Sequence, residues 1–101
     1  MTEIIIPNKK PLLAKSHINY DHADHIEISV ELPGFDKKDI NVKTSDNEVS
    51  VTATSEWVDD RAVKFELSPW LNSESITAEL RNGILLLKVD RINKIRDIPI
   101  S

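Results

Sequence analysis

Three histidines lie close together near the start of the chain, His17, His22 and His25, with Asp21 and Asp24 between them. Imidazole nitrogens and carboxylate oxygens are donors that a metal ion takes. Spacing alone is not ligand geometry, so the group reads as polar residues around a turn, and no metal is expected. Nucleophilic catalysis has no better footing. Serines, histidines and aspartates are present, but there is no nucleophile elbow, no HExxH and no phosphate loop. Both glycines, Gly34 and Gly83, fall at turns, which leaves none for a phosphate cradle. The chain reads as a non-enzyme with no cofactor.

What remains is the chemistry of non-covalent capture. The chain ends in Ile98-Pro99-Ile100-Ser101. Proline holds its own φ near −65° and pushes its predecessor toward extended geometry, so this tripeptide is pre-shaped as a strand with both isoleucines on one side. An open sheet edge captures such a segment. Ile4 and Ile6 repeat the spacing near the start. They form either a strand of their own domain or a competitor for the same kind of groove. Trp57 and Trp70 flank a strand-like run, Val63 to Leu67. Their bland role is to cover the ends of the fold, and their functional one is to grip a client or partner.

With 101 residues and no cysteine, the chain makes one domain held by a single core, without disulfides or cysteine-ligated zinc. The cytosol is the expected compartment. A formal charge of −4 and a pI near 5.3, with acids and bases interspersed, give no basic stripe for phosphates. No run approaches the ~18 apolar residues of a membrane span. Neither nucleic acid nor membrane is an expected partner.

The elements that must position these residues are strands. In Ile76 to Val89, ITAELRNGILLLKV, the pair Asn82-Gly83 separates two strand-forming runs. A type I′ turn needs φ > 0 at both central residues, which Asn tolerates and Gly adopts freely. A two-residue turn sets Leu80 opposite Leu85, Ala78 opposite Leu87 and Ile76 opposite Val89. Ile84 and Leu86 make the second run apolar on both faces, the pattern of a central strand covered twice. His25 to Leu32 alternates, with Ile26, Ile28, Val30 and Leu32 on one face and Glu27, Ser29 and Glu31 on the other. Pro33-Gly34 stops it, and Asp36 to Asp39 makes a polar or helical turn into Ile40–Lys43. Val49, Val51 and Ala53, then Val63, Phe65 and Leu67, alternate in the same way. Two prolines make the leader, 1–15, an edge strand or a mobile arm. About seven short strands without a helical period predict an all-β, antiparallel, immunoglobulin-like β-sandwich over 16–90, followed by an extension over 91–101.

Four stretches together resemble the α-crystallin domain of small heat-shock proteins. Ala78-Glu79-Leu80-Arg81-Asn82-Gly83-Ile84-Leu85 is similar to the family's A-x-x-x-N-G-V-L signature, with Ile for Val. Val30 to Val42 resembles its strand ending in L-P-G-F before an acidic turn. Phe65-Glu66-Leu67-Ser68-Pro69 resembles F-x-L-P with Ser68 inserted, and Ile98-Pro99-Ile100 resembles the I-x-I tail. The resemblance implies a homo-oligomeric, ATP-independent holdase for partly unfolded proteins. Its tail docks in a neighbouring copy's groove, formed here by Ile40, Val42, Ile76, Ala78 and Leu80 at two sheet edges. Two departures stand out. The leader is shorter than the family's usual client-binding arms. The connection from Glu56 to Arg61 is short where many members carry a strand-swapping loop, which argues against a swapped dimer. A compact sandwich without that loop is also similar to p23-type co-chaperone domains, which bind a folded chaperone instead of clients.

Overall fold

The computed structural model describes residues 11–92 and Ile100. Among these residues, eight strands form two four-stranded sheets. They are β1 (Leu12–Leu13), β2 (Ser16–Asn19), β3 (His25–Glu31), β4 (Ile40–Ser45), β5 (Glu48–Ala53), β6 (Arg61–Glu66), β7 (Thr77–Arg81) and β8 (Ile84–Asp90). One sheet runs β1-β6-β5-β4 and the other β2-β3-β8-β7. No helix of the described residues is long and apolar enough to cross a membrane.

Alternation becomes burial directly. On β3, Ile26, Ile28 and Val30 are buried, and they join Leu85, Leu87 and Val89 of β8 and Val49, Val51 and Ala53 of β5 in one cluster. Period-two side chains from both sheets meet in the middle, and their polar neighbours face water. Asn82 and Gly83 carry φ of 51° and 77°, so the β7–β8 turn is of the expected kind, with Ala78 opposite Leu87 and Leu80 opposite Leu85. Lys37–Asp39 forms the single turn of 3₁₀ helix anticipated after Pro33-Gly34, closed by Asp36 N–H donating to Asp39 Oδ2 at 2.9 Å.

Of the two readings of the leader, the edge strand holds at Leu12–Leu13: Leu12 and Ala14 N–H donate to the carbonyls of Asp60 and Ala62, and β1 pairs parallel to β6 while the other strand pairings of the described residues are antiparallel. Beyond that parallel pairing, two details differ from the sequence reading. Strand β8 is central in its sheet but is covered once, not twice. Ile84 is 39% exposed and Leu86 half-buried on the outer face, because a two-layer sandwich has no third layer to cover them. Ile76 follows a second 3₁₀ turn, Ser73–Ser75, and β7 starts one residue later, so the pairing with β8 begins at Thr77–Lys88 and not at Ile76–Val89.

Candidate functional site

Among the described residues, strands β4 and β7 are each the last strand of their sheet, and no described residue pairs with the outer row of backbone N–H and C=O groups on either. Between them lies an open slot of about 100 Å³, lined by Lys37, Ile40, Val42, Ala78, Leu80 and Leu85. It arises because the inward residues of an edge strand meet the core on one flank only. Ile40, Val42 and Leu80 are half-buried and Ala78 is exposed, while Leu85 at the floor is buried. Ala78 matters through its smallness, since a larger side chain there would fill the slot. An apolar opening between two strand edges that no described residue pairs with suits an extended apolar peptide added as a strand. Of the predicted groove residues, Ile40, Val42, Ala78 and Leu80 come together, whereas Ile76 packs half-buried against the core and does not line the slot. Sequence reading missed Lys37 and Leu85 as lining residues; Leu85 follows from its register opposite Leu80.

Ile100 is 99% exposed and so does not occupy this slot. Ile98, Pro99, Ile4 and Ile6 lie outside the described residues.

The two signature stretches are joined in space. Leu32 N–H donates to the Gly83 carbonyl at 2.7 Å, and a Cβ on Gly83 would stand 3.3 Å from Pro33 Cα. The Leu32-Pro33-Gly34 bend therefore rests on the turn that launches β8. Beyond it, Trp57 is 88% exposed, in the short strandless connection between β5 and β6. Trp70 is 58% exposed, and its carbonyl accepts from Ile92 N–H at 2.6 Å. Both tryptophans are exposed, whereas Phe35, Leu67 and Leu71 are buried in the core. Trp57 walls two shallow depressions of about 440 and 480 Å³. Acidic side chains, among them Asp36, Asp39 and Glu56, share those walls, which makes them poorer receptors for an isoleucine than the β4–β7 slot.

The predicted histidine turn resolves into a narrower group. His17 sits on β2 opposite Ser29, apart from the other two. His22 and His25 stack with ring centroids 4.2 Å apart, and their Nε2 atoms both reach Glu27 Oε1, at 3.4 Å from His25. His25 Nδ1 lies 2.6 Å from Asp24 Oδ1, and that hydrogen bond holds the Asp24 carboxyl below its ordinary pKa.

The sequence matches the model of the Hsp20/alpha crystallin family over residues 18–101. No curated protein matches the chain. Among solved structures, the fold is similar to that of a small heat-shock protein from Xylella fastidiosa, with a TM-score of 0.77 at 16% identity over 91% of this chain and 97% of that one. Heat shock protein 16.0 from Schizosaccharomyces pombe gives 0.70 at 18% identity, over 95% and 79%. The hspA protein of Xanthomonas axonopodis gives 0.70 at 21% identity, over 81% and 96%. At these identities the structural likeness speaks for the fold, and the family match speaks for descent. The chain belongs to the Hsp20/alpha crystallin family, a family of small heat-shock-type chaperones that are not enzymes.

Proposed function

We propose that this protein is an ATP-independent holdase that binds partly unfolded proteins and keeps them from aggregating, in the cytosol. In this reading it assembles by seating Ile98 and Ile100 of one copy in the β4–β7 slot of another. The observation that carries the proposal is the slot itself: two strand edges, unpaired among the described residues, around Ile40, Val42, Ala78 and Leu80, with Ile100 lying outside it. A single strand-addition contact of this size is weak, and several per particle add through effective concentration. The similar Xylella fastidiosa protein has a distinct high order structure, which supports assembly here as well. Client capture falls to apolar surface the sandwich leaves open, with Trp57 and Trp70 the described candidates and Ile4 and Ile6 those at the start of the chain.

Light scattering of a heat-labile client tests the holdase. Suppression at equimolar subunits is expected, and none would reject the reading. Native mass tests the assembly, since Ile98→Gly with Ile100→Gly should shrink the particle. The short connection between β5 and β6 favours a second reading, a co-chaperone module of p23 type that binds a folded chaperone. A monomeric mass without suppression would select it.

A further inference from the structure

The group at the β2–β3 turn has donors and geometry that tail docking and client capture leave unused. We propose that His22, His25 and Glu27 form a binding site for a divalent transition-metal ion. One ring nitrogen of each histidine and one carboxylate oxygen all lie within 4.8 Å of one another. Two imidazoles with a carboxylate suit Zn²⁺, Cu²⁺ and Ni²⁺, and not the hard ions that take oxygen alone.

The distances fit a first coordination sphere after a small rotation. Two donors of a tetrahedral Zn²⁺, each bonded at about 2.0–2.1 Å, stand about 3.4 Å apart. His25 Nε2 and Glu27 Oε1 already have that separation, at 3.4 Å. His22 Nε2 sits closer to the same oxygen, within hydrogen-bond distance, and its ring lies only 15° from parallel to that of His25. Parallel rings cannot both aim an in-plane lone pair at one ion, so binding turns the His22 ring out of the stack. Its side chain is 42% exposed and on a turn, which leaves it room to rotate.

The second observation is the fixing of His25. Its side chain is only 14% exposed, and Asp24 Oδ1 lies 2.6 Å from Nδ1. A carboxylate at Nδ1 fixes the ring with Nε2 turned toward Glu27, the carboxylate–histidine arrangement that orients metal ligands. Backbone geometry holds the rest. His25 and Glu27 are two apart on β3 and share its outer face, and Arg91 clasps the turn by donating from its backbone N–H to the Asp24 carbonyl and from its guanidinium to the Tyr20 carbonyl. Lys88, across from Glu27 on β8, lowers the affinity of the site for any cation. Three protein ligands leave one position for water.

Calorimetric titration of the full, untagged chain with Zn²⁺ tests the site, with the imidazole NMR signals of its three histidines as a second readout. The expected result is one Zn²⁺ per chain, shifts at His22 and His25 but not at His17, and no response to Ca²⁺. Glu27→Gln and His22→Ala, both at part-exposed positions, should each weaken binding about tenfold or more, and Asp24→Asn, acting through His25, by about tenfold, with circular dichroism unchanged from the wild type. His17→Ala should bind as the wild type does. No saturable binding, equal binding by the Glu27→Gln and His22→Ala variants, loss in His17→Ala, or an equal response to Ca²⁺ would each overturn the proposal.

Discussion

Replacing Gly83 by alanine adds one methyl group, and its cost can be built up from the turn. Gly83 is the second central residue of the β7–β8 hairpin at φ +77°, a conformation that costs an L-residue about 1–2 kcal/mol. The added Cβ would stand 3.3 Å from Pro33 Cα, a backbone atom that cannot swing aside. Retreat of the turn would stretch the 2.7 Å bond from Leu32 N–H to the Gly83 carbonyl, which contributes about 0.5–1.5 kcal/mol net. Alanine's smaller freedom in the unfolded chain returns about 0.4–1 kcal/mol. The balance is a loss of about 1.5 kcal/mol, or a Tm lower by about 6–12 °C for a domain of this size. Gly34→Ala is the matched control. Its φ of +86° imposes the same strain, but its Cβ would meet Val58 Cγ1 at 3.2 Å, on a side chain 37% exposed and free to move. Thermal melts followed by circular dichroism should show Gly83→Ala losing clearly more than Gly34→Ala. Equal losses, or a Gly83→Ala melt indistinguishable from wild type, would refute the claim that the two signature stretches brace each other through backbone contact.

Leu87, 1% exposed and paired with Ile28 in the middle of its sheet, should cost about 2–5 kcal/mol when cut to alanine, read as a fall in the urea midpoint. Lys64→Ala breaks only the exposed 3.8 Å pair with Glu48 and should change stability by less than about 1 kcal/mol. Trp57→Ser, at a position 88% exposed, should leave stability within about 0.5 kcal/mol while weakening suppression of client aggregation in the scattering assay. Retained suppression would remove Trp57 from the capture surface.

Much of this fold could be read along the chain because alternation and turn chemistry are local. The run from Ile26 to Val30 and the Asn82-Gly83 pair each declare their conformation within a few residues, and the register of β7 with β8 follows from the turn. Strand β1 was legible only as one of two alternatives for the leader, without its bounds or its parallel pairing. Two leucines after a proline hold no periodicity, and their place is set by carbonyls of Asp60 and Ala62 far along the chain. The outer-face exposure of Ile84 and Leu86 was equally hidden, since an apolar residue on a strand does not say how many layers surround it. The groove was named only through the family resemblance, and of its five residues Ile40, Val42, Ala78 and Leu80 line the slot between the sheet edges. Ile76 does not, because the 3₁₀ turn before it takes it out of the ladder. Glu27 was read as a solvent-facing charge; its i, i+2 spacing from His25 was visible, whereas the approach of His22 depends on the turn's three-dimensional path.

The claim on which the account rests is that the slot between β4 and β7 receives an extended isoleucine pair. It is tested most directly by amide NMR of a chain ending at Asp97, titrated with a peptide of residues 94–101. The account predicts saturable shifts concentrated along Ile40–Ser45 and Thr77–Arg81, absent when both peptide isoleucines are glycine. Shifts centred on another surface, or equal shifts from the glycine peptide, would contradict it.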